Sequence, residues 1–172
     1  IFDDKELDLN TREADIGIWM RRPKKLNYIH RKLTDLKYHM YGSNKYLEKH
    51  GYPKTVNDLN KHKFISYGKG APSPVFNPDW ALKLGMKDNK KRRSIMKVNS
   101  IMGLLLAVES GVGIAALPDY LVSLSSNLIK LIPSEEGPIT EAYFVYPESL
   151  KNVARVQAFR NFLYSKISEW KF

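Results

Sequence analysis

Two short polar side chains stand at the start of an apolar helical pattern in the second half of the chain. Asn99 and Ser100 can each cap a helix, because a short side-chain oxygen accepts an unpaired N–H group of the first turn. The apolar positions that follow have helical spacing and are Ile101, Leu104, Leu105 and Val108. A strand that runs into a capped helix presents backbone N–H groups beside its end, which suits a small polar or anionic ligand. A buried strand–helix–strand corner without a ligand explains the same pattern.

The residues after this helix continue the pattern of an α/β unit. Gly111 stands where a helix ends in a left-handed residue. The run from Val112 to Ala116 is apolar and has the length of a strand, and Pro118 can open the next helix.

Residue types that often carry catalysis are present, but they lack the spacing of catalytic motifs. The four histidines, His30, His39, His50 and His62, do not form a metal-binding H-E-x-x-H pattern. Gly111-Val112-Gly113 follows a predicted helix, whereas a dinucleotide fingerprint follows a strand. Asp15 precedes a predicted strand, where a local hydrogen-bonding role is commoner than acid catalysis. The absence of cysteine excludes disulfides and thiolate chemistry. We therefore expect a binding protein and no enzyme, with no metal and no cofactor.

The chain is strongly basic, with 28 Lys and Arg against 18 Asp and Glu, a formal charge of +10. The cations cluster at 21–25 and 87–93. Such a surface attracts nucleic acid or steers anions. Neither cluster has the interleaved aromatic residues of a single-strand groove or a DNA-reading motif around it, so a loop or a solvated strand edge is the favoured interpretation for both.

Strands and helices are predicted to alternate, which indicates the α/β class. The predicted strands cover 14–20, two segments within 26–41, 64–67, 95–98, 128–132 and 140–146. The predicted helices cover 44–50, with Ser43 as cap, 80–84, the stretch after Ser100, and 152–170. In the last helix we expect one apolar side formed by Val153, Val156, Phe159, Phe162, Leu163 and Ile167.

Four segments together resemble the effector-binding domain of LysR-type transcriptional regulators. Residues 12–18 (READIGI) are similar to the family's "ADlai" strand, and residues 41–53 (YGSNKYLEKHGYP) to its "aSpaYlaxxGxP" helix and turn. Residues 58–62 (DLNKH) match its "DLxxH" step, and residues 99–118 its "s…l…av.aGlGia.lP" segment. The four motifs occur in the family's order over most of the chain.

The resemblance implies an α/β domain of two lobes, similar to type II periplasmic binding proteins, with an effector held in an inter-lobe cleft. One lobe would comprise 1–34 and 140–172, and the other 35–139. The chain begins just before the "ADlai" strand, so we expect the first lobe to be incomplete and the chain to be an N-terminally truncated part of a regulator.

Five residues are candidates for effector binding on the strength of this resemblance. Asn99 and Ser100 would donate to an effector carboxylate or hydroxyl, and Ser66 ends the strand after "DLxxH". Trp19 and Met20 end the "ADlai" strand and would form a wall on the opposite lobe. Ordinary packing explains each of them equally well.

The expected partners follow from the same resemblance. We expect a small, anionic effector, a homodimer or homotetramer, and DNA bound through an absent N-terminal winged helix-turn-helix domain. A cytoplasmic location is expected and no membrane partner, because no apolar run reaches the length of a membrane span. A solute-binding protein of a transport system with the same fold is the alternative function.

Overall fold

A computed structural model describes residues 7–11, 13–24, 26–68, 77, 79–88, 90–123, 125 and 127–170. The loop predicted at 69–78 lies outside these residues except for Asn77. The strands are β1 Gly17–Trp19, β2 Tyr28–Leu36, β3 Tyr38–Ser43, β4 Phe64–Tyr67, β5 Ser94–Val98, β6 Ala115–Pro118, β7 Leu128–Leu131 and β8 Thr140–Pro147. The α-helices are α1 Asn44–His50, α2 Trp80–Lys83, α3 Ile101–Glu109, α4 Asp119–Val122 and α5 Ala154–Ser168. Short 3-10 turns occur at Leu9–Thr11, Val56–Lys61 and Glu148–Leu150.

The chain divides into two compact units. Unit 1 comprises Ile1–Leu36 and Thr140–Phe172, and unit 2 comprises Lys37–Ile139. The chain therefore passes from one unit to the other twice, once after Leu36 and once after Ile139.

Unit 1 is built on a three-stranded antiparallel sheet in the order β1-β8-β2. Successive side chains of a strand point to opposite faces, and β8 is apolar on both. Tyr143 and Val145 pack with Leu9 and Tyr28 on one face. Phe144 and Tyr146 pack with Val156 of α5 on the other face.

The predicted apolar side of α5 is only partly buried. The helix spans Ala154–Ser168 instead of 152–170, and Val156 is its one buried residue. Phe159 and Phe162 are 40% and 55% exposed and stack on each other, with ring centroids 6.4 Å apart. Val153, Val156 and Leu163 of the predicted side pack in the cluster of Phe144 and Tyr146, whereas Phe159 and Phe162 are more exposed.

Unit 2 contains an antiparallel sheet in the order β6-β3-β7 and a parallel pair, β4 and β5. A parallel bridge between Phe64 and Ile114 joins the two. The bridge is possible because Gly113 has no side chain: a Cβ atom there would lie 2.4 Å from the Lys63 carbonyl oxygen.

Helix α3 packs on this sheet through the predicted positions. Ile101, Leu104, Leu105 and Val108 are all buried, in a cluster with residues of β3, β4, β6 and α4. Gly111 has a φ of 80°, as expected for the left-handed end of a helix. The strand after it is β6, which begins three residues later than the predicted run from Val112.

The predicted Ser43 cap of α1 is corrected by the structure. Ser43 precedes α1, but its hydroxyl makes no cap hydrogen bond. The Asn44 N–H instead donates to the Asn127 carbonyl at 3.1 Å, so a neighbouring backbone segment satisfies the first N–H group of the helix.

Candidate functional site

The carboxyl ends of β4 and β5 lie together beside the start of α3. The Gly68 N–H donates to the Val98 carbonyl at 2.7 Å, and the Tyr67 hydroxyl donates to the Asn99 carbonyl at 3.0 Å. Ligands of open α/β sheets bind outside the carboxyl ends of parallel strands. This junction is therefore the place in unit 2 where a ligand is expected.

Ser100 is the cap residue of α3. Its Oγ accepts a hydrogen bond from the Gly103 N–H at 3.4 Å, and its backbone is extended. A Cβ atom at Gly103 would lie 2.8 Å from a methyl carbon of Val98, so glycine allows the first turn to lie against the end of β5. Asn99 is exposed at the same corner.

Ser66 is buried in β4, the strand that pairs with β5, and its hydroxyl group is hydrogen-bonded to that of Ser94. The Ser66 and Ser94 hydroxyl oxygens are 2.8 Å apart, and Ser94 donates to the Met96 carbonyl at 2.9 Å. A serine hydroxyl has a single hydrogen. Because the hydrogen of Ser94 is used on Met96, Ser66 is the donor to Ser94, and the lone pairs of its own oxygen are left to accept.

A depression in unit 2 lies against these elements. It is small and partly open to solvent, with room for little more than a water molecule. Its lining comes from β3, β4, α2, α3 and β6: Tyr38, Phe64, Ile65, Ser66, Tyr67, Trp80, Ala81, Leu82, Ile101, Leu104 and Ala116. No residue of this lining is charged, so its surface is aromatic and aliphatic with a few hydroxyl and indole groups.

Arg92 stabilises the part of the depression's lining that contains Trp80. Its guanidinium is buried, donates to the Leu84 and Val56 carbonyls at 2.7 and 3.2 Å and to Asn60 Oδ1 at 2.8 Å, and lies 5.6 Å from the centre of the Phe64 ring. Burial lowers the pKa of Arg92 below its ordinary value. The residue belongs to the run 87–93, for which we favoured a loop or a solvated strand edge. The described residues of this run form no helix or strand, but the Arg92 side chain is buried because its hydrogen-bond partners lie inside the unit.

A second buried polar cluster surrounds Asp119 at the start of α4. His39 Nδ1 lies 2.8 Å from its Oδ1, the Tyr41 hydroxyl donates to the same oxygen at 2.8 Å, and Lys130 Nζ donates to Oδ2 at 3.0 Å. Burial by itself would raise the pKa of Asp119, but these hydrogen bonds outweigh it and hold the pKa below its usual value. The cluster joins β3, β7 and α4 and so stabilises the frame of unit 2.

The predicted site residues are divided between the units. Ser66 lines the depression, whereas Asn99 and Ser100 immediately precede Ile101, which lines it. Trp19 and Met20 belong to unit 1, where both are partly buried and Trp19 packs edge-on against Tyr28 at a centroid distance of 5.4 Å. A binding role for each of the five stays a prediction.

Sequence reasoning did not single out Tyr67, Trp80, Arg92 or Asp119 as site or framework residues. Trp80 carried a usable signal, since it opens a predicted helix. Asp119 carried another, because an acid directly after Pro118 stands in the first turn of the predicted next helix. Arg92 carried none, as it lies among four other cations in the run 87–93.

Among the residues that the structure describes, no group of three or more His, Asp or Glu side chains could hold a metal ion. Within the described ranges, no helix is both long enough and apolar enough to cross a membrane.

The sequence model of the LysR substrate binding domain family matches residues 5–167 of this chain. The chain belongs to this family. It is also 29% identical over 153 residues to an uncharacterised HTH-type transcriptional regulator of Haemophilus influenzae, covering 85% of this chain and 51% of the relative. The chain therefore spans about half the length of this relative. The family comprises regulatory domains of transcription regulators, which are not enzymes.

Solved structures of this family have the same fold. The regulatory domain of CrgA, a LysR-type regulator from Neisseria meningitidis, has a TM-score of 0.78 at 23% identity, covering 92% of this chain and 78% of that one. The C-terminal domains of a LysR family protein from Agrobacterium tumefaciens have a TM-score of 0.67 at 15% identity, covering 93% and 75%. The predicted α/β fold, similar to periplasmic binding proteins, is confirmed.

Proposed function

We propose that this LysR substrate-binding domain senses a small molecule at the junction of β4, β5 and α3, and that binding controls a separate DNA-binding domain of the same protein. The junction itself carries the proposal. It combines the carboxyl ends of two parallel strands, the capped start of α3 and a depression lined by side chains of five elements.

Asn99 and Ser100 are proposed to hold the polar end of the effector. Asn99 is exposed and Ser100 is partly exposed beside the first turn of α3, where the positive end of the helix dipole favours an anion. An anionic effector, its position in an inter-lobe cleft and the contribution of Trp19 and Met20 stay predictions.

We also propose that the protein acts as a homodimer or homotetramer in the cytoplasm, where a regulator meets DNA. Unit 2 exposes several large apolar side chains, which supports association. Ile95 and Met96 of β5 are 54% and 43% exposed, and Leu106 of α3 is 57% exposed. Exposed apolar side chains of this size are available to an interface with a second copy of the chain.

The test of the sensing function uses the full-length regulator and a reporter gene under its control. A panel of small molecules is screened for compounds that change reporter expression, and the response is then measured for Asn99→Ala/Ser100→Ala. We expect the double variant to lose the response while it still binds operator DNA. Loss of the cap alone costs about 1 kcal/mol, which most domains tolerate.

Ser100→Thr is the matched control, because threonine also caps helices and should preserve the response. An unchanged response of the double variant would remove these two residues from the site. DNA binding that no compound in the panel changes would count against the sensing function itself.

A further inference from the structure

We propose that a lysine surface on unit 2, formed by Lys45, Lys49, Lys54, Lys61 and Lys63, contacts the phosphates of the DNA to which the regulator is bound. The inference rests on the proposed function for the presence of DNA. It goes beyond that function because it gives the effector-binding domain a DNA contact of its own, one that reads no base sequence.

The charge of this part of unit 2 is unbalanced. Residues 44–63 contain five lysines and two histidines but only two acids, and all five lysines are exposed. One of the acids, Asp58, accepts hydrogen bonds from the backbone at the start of its own 3-10 turn and lies 3.6 Å from Lys61 Nζ. Among the residues that the structure describes, the other four lysines of the surface form no ion pair. Their charge is available to a partner.

Tyr46 joins the two halves of the lysine surface. Its ring is buried, stacks on His50 of α1 at a centroid distance of 4.4 Å and lies 5.8 Å from the ring of His62. Its hydroxyl accepts the Lys63 N–H at 2.8 Å. The exposed side of α1, which carries two of the lysines one turn apart, therefore lies beside the segment that carries Lys61 and Lys63.

The ionisation of His62 reflects this positive environment. Burial lowers the pKa of His62, and the charges of His50 and Lys61 lower it further, against the opposing charge of Asp58. A site that disfavours a further cation favours an anion.

DNA is the anion that the proposed function brings to this surface. A duplex carries one negative charge per about 1.7 Å of its axis, and lysines that neutralise its phosphates release counterions. A separate DNA-binding domain of the same protein would hold the duplex at a high effective concentration, so contacts that are weak by themselves become occupied. Contacts to phosphates position a protein on DNA without specifying a sequence.

The experiment measures binding of the purified 172-residue chain to a fluorescein-labelled 30-base-pair duplex of mixed sequence by fluorescence anisotropy at 50, 100 and 200 mM KCl. Residues 5–167 match the substrate-binding domain, so binding in this assay comes from the domain itself. Two variants, Lys45→Gln/Lys49→Gln and Lys61→Gln/Lys63→Gln, remove different halves of the surface. Lys151→Gln/Lys166→Gln is the matched control, because it removes the same charge from exposed positions of unit 1.

We expect the logarithm of the wild-type affinity to fall with the logarithm of the salt concentration with a slope between about −2.7 and −4.5, equivalent to about three to five phosphate contacts. Each surface variant should weaken binding at least about tenfold at 50 mM KCl and reduce the steepness of the slope by about 2. The control should change the affinity less than about threefold. The thermal midpoint of each variant checks its folding.

Three results would overturn the inference: no binding of the duplex at 50 mM KCl, an equal loss of affinity in the control and in both surface variants, or tighter binding of poly-glutamate than of a duplex with the same number of charges. The last result would assign the surface to an acidic protein. None of them bears on the sensing function, since the reporter response to Asn99→Ala/Ser100→Ala is measured separately.

Discussion

In the part of the chain that the structure describes, the ion pairs of unit 1 are exposed, whereas unit 2 has two buried charged side chains besides its exposed ion pairs. In unit 1, Lys32 pairs with Asp35 at 2.7 Å and with Glu141 at 2.9 Å, and these three side chains are 44% to 48% exposed. In unit 2, Asp119 and Arg92 are 8% and 9% exposed and are surrounded by hydrogen-bond partners. Exposed ion pairs contribute little to stability, whereas removal of one partner from a buried cluster leaves the others unsatisfied. The polar groups of unit 2 therefore set the frame on which the candidate site is built.

The largest difference should appear between Asp119 and Asp35. Asp119→Ala leaves His39, Tyr41 and Lys130 without their acceptor, and we expect it to lower the free energy of unfolding by about 3 kcal/mol. Asp35→Ala removes an exposed partner of Lys32 and should cost less than about 1 kcal/mol. Urea unfolding followed by circular dichroism measures both. Equal losses would show that the burial of the cluster does not matter.

A second pair of variants separates neighbours in the basic run. Arg92→Met removes the donors to Asn60 and to three carbonyls, and we expect a loss of about 2 kcal/mol. Arg93→Met, at an exposed position, should change the free energy of unfolding by no more than about 0.5 kcal/mol. The same urea titration compares them. A loss at Arg93 as large as that at Arg92 would contradict the structural role given to Arg92.

The smallest effect concerns His62 and pH. Burial, and to a lesser extent the nearby His50, lower the pKa of His62 below its ordinary value of 6.5, so the folded protein binds fewer protons there than the unfolded chain. Stability should therefore decrease as the pH falls below about 6.5. The decrease should be smaller in His62→Gln, measured as the unfolding midpoint between pH 7 and pH 5. An unchanged pH dependence in this variant would show that other groups dominate.

Local patterns in the sequence predicted most of the framework. The cap at Ser100, the buried positions of α3 and the bounds of α1 and β4 follow from short-range rules of capping, periodicity and chain breaking. The family resemblance was equally accessible, because its motifs lie on these same elements.

Long-range pairing was not accessible in this way. Arg92 lies in a run of cations, and only the fold brings it to the carbonyls of Val56 and Leu84. Ser66 and Ser94 are 28 positions apart and meet because β4 and β5 pair in parallel. The exposure of Phe159 and Phe162 also depends on long-range packing. The sequence of a helix does not show how much of its apolar side is covered by other elements.

Direct binding of the effector tests the central claim. A compound that changes reporter expression is titrated by calorimetry into the purified wild-type chain and into Asn99→Ala/Ser100→Ala, with the thermal midpoint of each protein measured as a check on folding. The account predicts binding to the wild type and a large loss of affinity in the double variant at a nearly unchanged midpoint. Equal affinity in the two proteins would contradict it.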